Sequence, residues 1–232
     1  MKPVLLIAIN FLRTQWVVVT VMATYMVLIS GFFSLHEQRQ EILFYVQIHA
    51  TYIVFLAMVV AVSAIHTERR TRRILAVLSK GIHRHQYLAG LLVGSAMMSA
   101  ILCLLLGSIT AWMSRREGLA IGSIAPLVGD IFMVAIAAAA VALFYSVFLH
   151  PLLATAATSV TLTLPFVLNA AYGLSGQRLF PVVGLANLVQ RFNFQPLHNG
   201  GTPAVAAMVW IALFWVAGSA IFARRDVTIS PE

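Results

Sequence analysis

Apolar residues run along this chain in long stretches, separated by short clusters of polar and basic ones. Crossing the hydrocarbon core of a bilayer takes about 20 consecutive apolar residues. Stretches of that length lie at 16–35, 43–65, 87–113, 126–149, 152–172 and 204–223, which predicts an all-α integral membrane protein with six spans in a single transmembrane domain over 1–232. The apolar region before the fourth span already begins at Gly118, too early for one upright helix, so residues 118–126 read as an approach segment or a tilted start. Pro151, directly after His150, leaves only a short turn between the fourth and fifth spans and makes them antiparallel neighbours.

Two further segments carry a helical pattern without the length to cross. Residues 4–13 are apolar up to Arg13 and Gln15. They read either as an N-terminal interfacial helix or as an extension of the first span. Within the long segment 173–203, Leu185, Leu188, Val189 and Phe192 recur on one helical face, with Asn187, Gln190, Arg191 and Asn193 opposite. This predicts an amphipathic or re-entrant external helix before the last span. The Met1-Lys2 start resembles a signal peptide, but Asn10, Arg13 and Gln15 interrupt it and no small-residue cleavage pattern follows, so a retained helix is expected.

Composition agrees with the pattern, since 61% of the 232 residues are hydrophobic and only 9% charged. A soluble domain carries roughly 25% charged residues. The net charge of +8 gains its meaning from where the basic residues fall. With the termini inside, ten of them face the cytoplasm (Lys2, Arg13, six within 66–86, Arg224 and Arg225) and five face outward (Arg39, Arg115, Arg116, Arg178 and Arg191). The positive-inside rule then places both termini in the cytoplasm, in a cell (cytoplasmic or inner) membrane, and accounts for the charge without nucleic acid. Cys103 is the single cysteine, which excludes an internal disulfide and a thiolate metal site.

Motifs for chemistry are missing from the sequence: it contains no phosphate-binding Gly-x-x-x-x-Gly-Lys-Ser/Thr, no His-Glu-x-x-His and no Gly-x-Ser-x-Gly. The expectation is a chain that is not an enzyme and binds no cofactor of its own. His83 and His85, two positions apart, would diverge on a helix and do not read as a metal pair.

The segment 66–86 is the most informative. It concentrates six basic residues beside an apolar patch of Ile74, Leu75 and Leu78, with Glu68 read as the first turn of a short helix that Gly81 ends. A short helix with an apolar patch suits insertion into a groove of a cytoplasmic partner. The segment resembles the second cytoplasmic stretch of permease subunits of type-2 ATP-binding-cassette exporters, which commonly runs Glu-x-x-x-Gly-Thr-(apolar)-x-x-Leu-Leu-Ser-x-Pro-(Val/Ile)-Ser-Arg before a span that opens on a small residue. Glu68, Ile74, Leu78, Ser79, Ile82, Arg84 and Gly90 meet that pattern without gaps, whereas Arg72 and Arg73 stand for Gly-Thr, Val77 for Leu, Gly81 for Pro and His83 for Ser. The family also has six spans, an interfacial N-terminal helix and short external helices before the last span. The resemblance implies a cytoplasmic coupling helix that docks a separate nucleotide-binding ATPase subunit through Glu68, Arg69, Arg72, Arg73, Ile74, Leu75, Leu78, Ser79 and Arg84. It further implies ATP and Mg held by that partner, and a second permease copy or similar chain completing the pathway. The simpler reading of the basic loop is that it fixes topology and binds anionic membrane lipid.

Three polar residues inside the spans bear on a pathway. Asp130 is the one carboxylate well inside an apolar run, and it reads either as a group on the pathway or as a structural hydrogen bond near a helix end. His49 and Asn169 carry the same two readings. Gly90 and Gly94 form a small-x-x-x-small pattern, and Ala135 to Ala140 offer a smooth face for close helix contact. The expected function is therefore a permease subunit forming an export pathway, with a non-transporting membrane anchor or assembly factor as the alternative.

Overall fold

Each of the six long apolar stretches forms a helix long and apolar enough to cross a membrane, and the protein is a multi-pass membrane protein. The computed structural model describes residues 2–33, 39–70, 82–172, 179–192, 194 and 201–224, and among these all regular structure is helical. In chain order the elements are α1 (Lys2–Thr14), α2 (Trp16–Phe33), α3 (Arg39–Arg70), α4 (Arg84–Arg116), α5 (Ile124–Ser146), α6 (Pro151–Tyr172), α7 (Pro181–Arg191) and α8 (Thr202–Arg224). The spans are α2 to α6 and α8. Because they alternate in direction, α3 ends and α4 begins at one end of the bundle, here termed the basic end.

Local chemistry sets several boundaries. α4 stops at Arg116 because Gly118 adopts a positive φ of 66°, which lets Gly118 N–H donate to Arg115 O at 3.3 Å and Leu119 N–H to Ser114 O at 2.9 Å. This is the Schellman closure that glycine permits at no steric cost. Pro151 opens α6, where its missing N–H is not needed, and Ala154 N–H donates to His150 O at 2.8 Å. At the start of α4, His83 is the extended N-cap, with Gln86 Oε1 accepting from its backbone N–H at 3.3 Å.

α5 is the central helix. Its Val134, Ala135, Ala137, Ala138, Ala139 and Val141 are all buried, and it makes its most extensive contacts with α3 and α8. Small side chains let neighbouring backbones approach closely in lipid, where dispersion rather than water expulsion holds helices together. The alanine run thus serves the intramolecular core.

α1 lies along the first turns of α4. A Cβ added at Gly90 would come 2.7 Å from Ile7 Cβ, and one at Gly94 would come 2.6 Å from Phe11 Cδ1. The small-x-x-x-small pattern is therefore the seat of the N-terminal helix, whose Ala8 and Phe11 are buried while Leu5, Leu6 and Ile9 face outward. Gln15 N–H to Phe11 O at 3.0 Å and Val19 N–H to Gln15 O at 3.1 Å carry the backbone ladder across the junction into α2. Gly94→Leu is expected to overpack this seat by about 1–3 kcal/mol and to release α1. Faster hydrogen exchange confined to residues 4–14 would register that release; unchanged protection would contradict the packing role.

Candidate functional site

Four places bear on function: the loop at the basic end, the two ends of α8, the α2–α3 contact and a groove between α3, α6 and α7.

At the basic end, α3 continues to Arg70. The backbone of Glu68 and Arg69 therefore continues α3, and Glu68 does not stand in the first turn of a separate helix as expected. The physical reason is that the helical ladder of α3 continues past its apolar stretch into polar sequence. Arg72, Arg73, Ile74, Leu75, Leu78 and Ser79 lie outside the described residues. His66 at the end of α3 and His150 in the α5–α6 turn have ring centroids 5.5 Å apart, which places those two connections side by side. His83 and His85 do not diverge: their rings stack at 5.4 Å and 11°, because His83 sits in extended backbone ahead of the helix. Among the described residues no group of three or more His, Cys, Asp or Glu is placed to hold a metal ion.

Arg84 turns onto the last span. Its Nη1 donates to Phe222 O at 2.9 Å and Ala223 O at 3.3 Å, and its guanidinium carbon stands 5.9 Å from the centroid of the Phe222 ring. These carbonyls belong to the last turn of α8, where helix carbonyls lack partners and carry partial negative charge. Buried Tyr87 supports the same ring at 6.3 Å.

Asp130 does the converse at the other end of α8. It is 1% exposed, and its Oδ2 accepts from Gly201 N–H at 3.0 Å while Oδ1 accepts from Ala204 N–H at 3.1 Å. Helix N-termini need an acceptor for their first amides, normally supplied by the N-cap side chain. Gly201, at φ 90°, has no side chain, and Pro203 removes one of the amides. Asp130, reaching across from α5, therefore caps α8 in the place of a local residue. An anion at the N-terminus and a cation at the C-terminus of one helix both complement its macrodipole.

His49 is fully buried in the α2–α3 contact. Its Nδ1–H donates to Tyr45 O at 2.7 Å, since a carbonyl only accepts, and Nε2 has no hydrogen-bond partner among the described residues. The rings of Tyr45, Tyr25 and Tyr52 surround it at 4.1, 5.7 and 6.2 Å, and Tyr45 O–H donates to Met26 O of α2 at 3.2 Å. The backbone of Asn169 is in α6, with its side chain outside the described residues.

The groove has a volume of about 400 Å³ and is walled by α3, α6 and α7. Its polar lining is Gln47 and Thr51 from α3, Ser159 and Thr163 from α6, and Gln190 from α7, set among Val54, Met58, Leu162, Leu185 and Val189. Thr51 Oγ1 donates to Gln47 O at 2.9 Å and Thr163 Oγ1 to Ser159 O at 2.7 Å, while Ser159 Oγ approaches Met58 Sδ at 3.7 Å. The two threonine hydroxyls are thereby satisfied within their own helices and that of Ser159 across the groove, on α3, yet each still offers acceptor capacity to the groove. Neither Asp130 nor His49 lines it.

Comparison with protein-family models and with curated proteins finds no match.

Of the intramembrane residues singled out by sequence, the structure brings Asp130 to a helix cap and His49 to an aromatic cluster. The groove residues carried a subtler signal. Gln47 and Thr51, and likewise Ser159 and Thr163, are polar pairs four apart inside apolar spans, a spacing that puts both members on one helix face.

Proposed function

We propose that this chain is the membrane-spanning permease subunit of an ATP-binding-cassette exporter, with both termini in the cytoplasm. α1 lies at the inner interface and α7 dips into the outer one. The observation that carries this reading is the groove: an open, mostly apolar hollow with a polar stripe, formed by the second and fifth spans together. Two such hollows, one from each of two copies or similar chains, would enclose a pathway in which apolar walls pass a partly apolar cargo and Gln47, Thr51, Ser159, Thr163 and Gln190 exchange hydrogen bonds with it.

The drive comes from elsewhere. A nucleotide-binding subunit, holding ATP and Mg, docks on the segment 66–86 through Ile74, Leu75 and Leu78, with Arg69, Arg72 and Arg73 preceding them in sequence. Closure of that subunit on ATP is a rigid-body motion. Arg84, at the end of the same segment, passes it to the C-terminal end of α8 through the Phe222 and Ala223 carbonyls. The chain itself supplies the path and carries out no chemistry.

Purification of the tagged chain from its native membranes tests the partner. The expected result is recovery of a nucleotide-binding ATPase at a ratio near one to one, reduced at least tenfold by Leu78→Asp. Full recovery with Leu78→Asp would show that the segment is not the docking point. Recovery of a partner without nucleotide-binding capacity would favour a membrane anchor, which has no use for the groove.

A further inference from the structure

α4 and α5 bound a second groove of about 610 Å³, within the range of roughly 300–1,000 Å³ typical of small-molecule sites. It is lined by Cys103, Leu104, Gly107, Ser108 and Ala111 of α4 and by Val128 and Phe132 of α5, among others. Along α4 the lining extends from Ala100 to Ala111, about 16 Å at 1.5 Å per residue, which is half of a hydrocarbon core about 30 Å thick. The groove therefore has the depth of one leaflet, on the side away from the basic end.

The charge at its mouth runs against the general rule. Basic residues concentrate at the other end of the bundle, yet Arg115 and Arg116 close α4 here, both exposed. Their roles differ. The Arg116 guanidinium lies 5.4 Å from the centroid of the half-exposed Trp112 ring, an arrangement suited to the level of the headgroups. Arg115 stands four residues beyond Ala111 and seven beyond Ser108, so it continues the helix face that lines the groove, and it forms no ion pair with a described residue.

We propose that this groove is a binding site for an anionic phospholipid, one acyl chain lying between α4 and α5 and the phosphate resting on Arg115. The apolar lining accepts the chain without asking for hydrogen bonds. The guanidinium fork pairs with phosphate oxygens at the depth where the headgroup must be. Small residues at 107, 108, 111 and 129 keep the hollow open. The site is independent of the transport reading, because it requires only that the helices cross a bilayer.

Trp112 provides a reporter at the mouth. The chain is reconstituted in vesicles containing a fixed fraction of either dibrominated phosphatidylglycerol or dibrominated phosphatidylcholine, and the contribution of Trp112 is taken as the difference in emission from a Trp112→Phe chain. Bromine quenches only at close range, so anionic lipid gathered at the basic end does not register. The expected result is quenching at least twofold stronger with the phosphatidylglycerol. Arg115→Gln, which removes the phosphate contact, and Ser108→Phe, which fills the groove from an exposed position, should each bring the ratio to one, whereas Arg116→Gln should leave it well above one. A ratio of one in the unaltered chain, or a ratio that survives either Arg115→Gln or Ser108→Phe, would overturn the site.

Discussion

Asp130→Ala is expected to destabilise the protein by about 2–4 kcal/mol, the largest stability loss of any single polar substitution in the spans. Two backbone amides, those of Gly201 and Ala204, both donate to this carboxylate. Hydrogen bonds to a charged group contribute about 1.5–3 kcal/mol each, and a donor left without a partner costs about 1–3 kcal/mol. Water reaching the first turn of α8 offsets part of that loss, because Gly201 is not fully buried. Asp130→Asn keeps an acceptor of nearly the same shape but loses the charge that complements the positive end of the helix dipole, so it should fall about midway. Thermal unfolding in detergent micelles measures both, and exchange of the Gly201 and Ala204 amides localises the effect. A cap and a proton or cation carrier make opposite predictions for Asp130→Asn: the cap variant transports at close to the normal rate once folded, and the carrier variant folds normally and does not transport. An alanine variant as stable as the unaltered protein would remove the capping role.

Filling the α3–α6–α7 groove should produce the second large effect. Ser159→Trp places an indole between Met58 and Leu162 in a hollow of about 400 Å³. Because the groove is open, the added ring has room to fit without forcing the helices apart, and stability should change little. On the proposed transport reading, cargo movement should fall at least tenfold, while recovery of the proposed ATPase partner stays constant. Thr51→Trp, from the opposite wall, should act alike. Val160→Trp is the control, since Val160 is 59% exposed and absent from the groove lining. Equal transport by Ser159→Trp and Val160→Trp would dissociate the groove from the pathway.

The spans were legible because hydropathy is a sum over about 20 residues and tolerates local exceptions. Their ends were less so: α3 runs from Arg39 to Arg70, whereas the apolar stretch covers 43–65, since a helix carries on into polar sequence beyond the apolar core. The amphipathic pattern around Leu185 and Val189 was readable from spacing alone, and α7 buries both. Gly90 and Gly94 announced a close contact, but the pattern does not name its partner, and Ile7 and Phe11 filled it from an earlier helix. Asp130 was ambiguous for a similar reason, and the contact of Arg84 with α8 was not foreseen at all. Their partners lie 71 to 139 positions away in sequence and are backbone groups, which carry no side-chain signature. Polar residues inside an apolar run show that a hydrogen bond must exist, not where it goes.

Alternating exposure of the groove is what the proposed permease role requires. In a Cys103→Ser background, Ser159→Cys can be probed with a membrane-impermeant maleimide from each side of the membrane, using the chain purified with the proposed ATPase partner. We expect labelling from the cytoplasmic side without nucleotide and from the opposite side when a non-hydrolysable ATP analogue is bound. Labelling that is the same from both sides and indifferent to nucleotide would contradict a transport pathway through this groove.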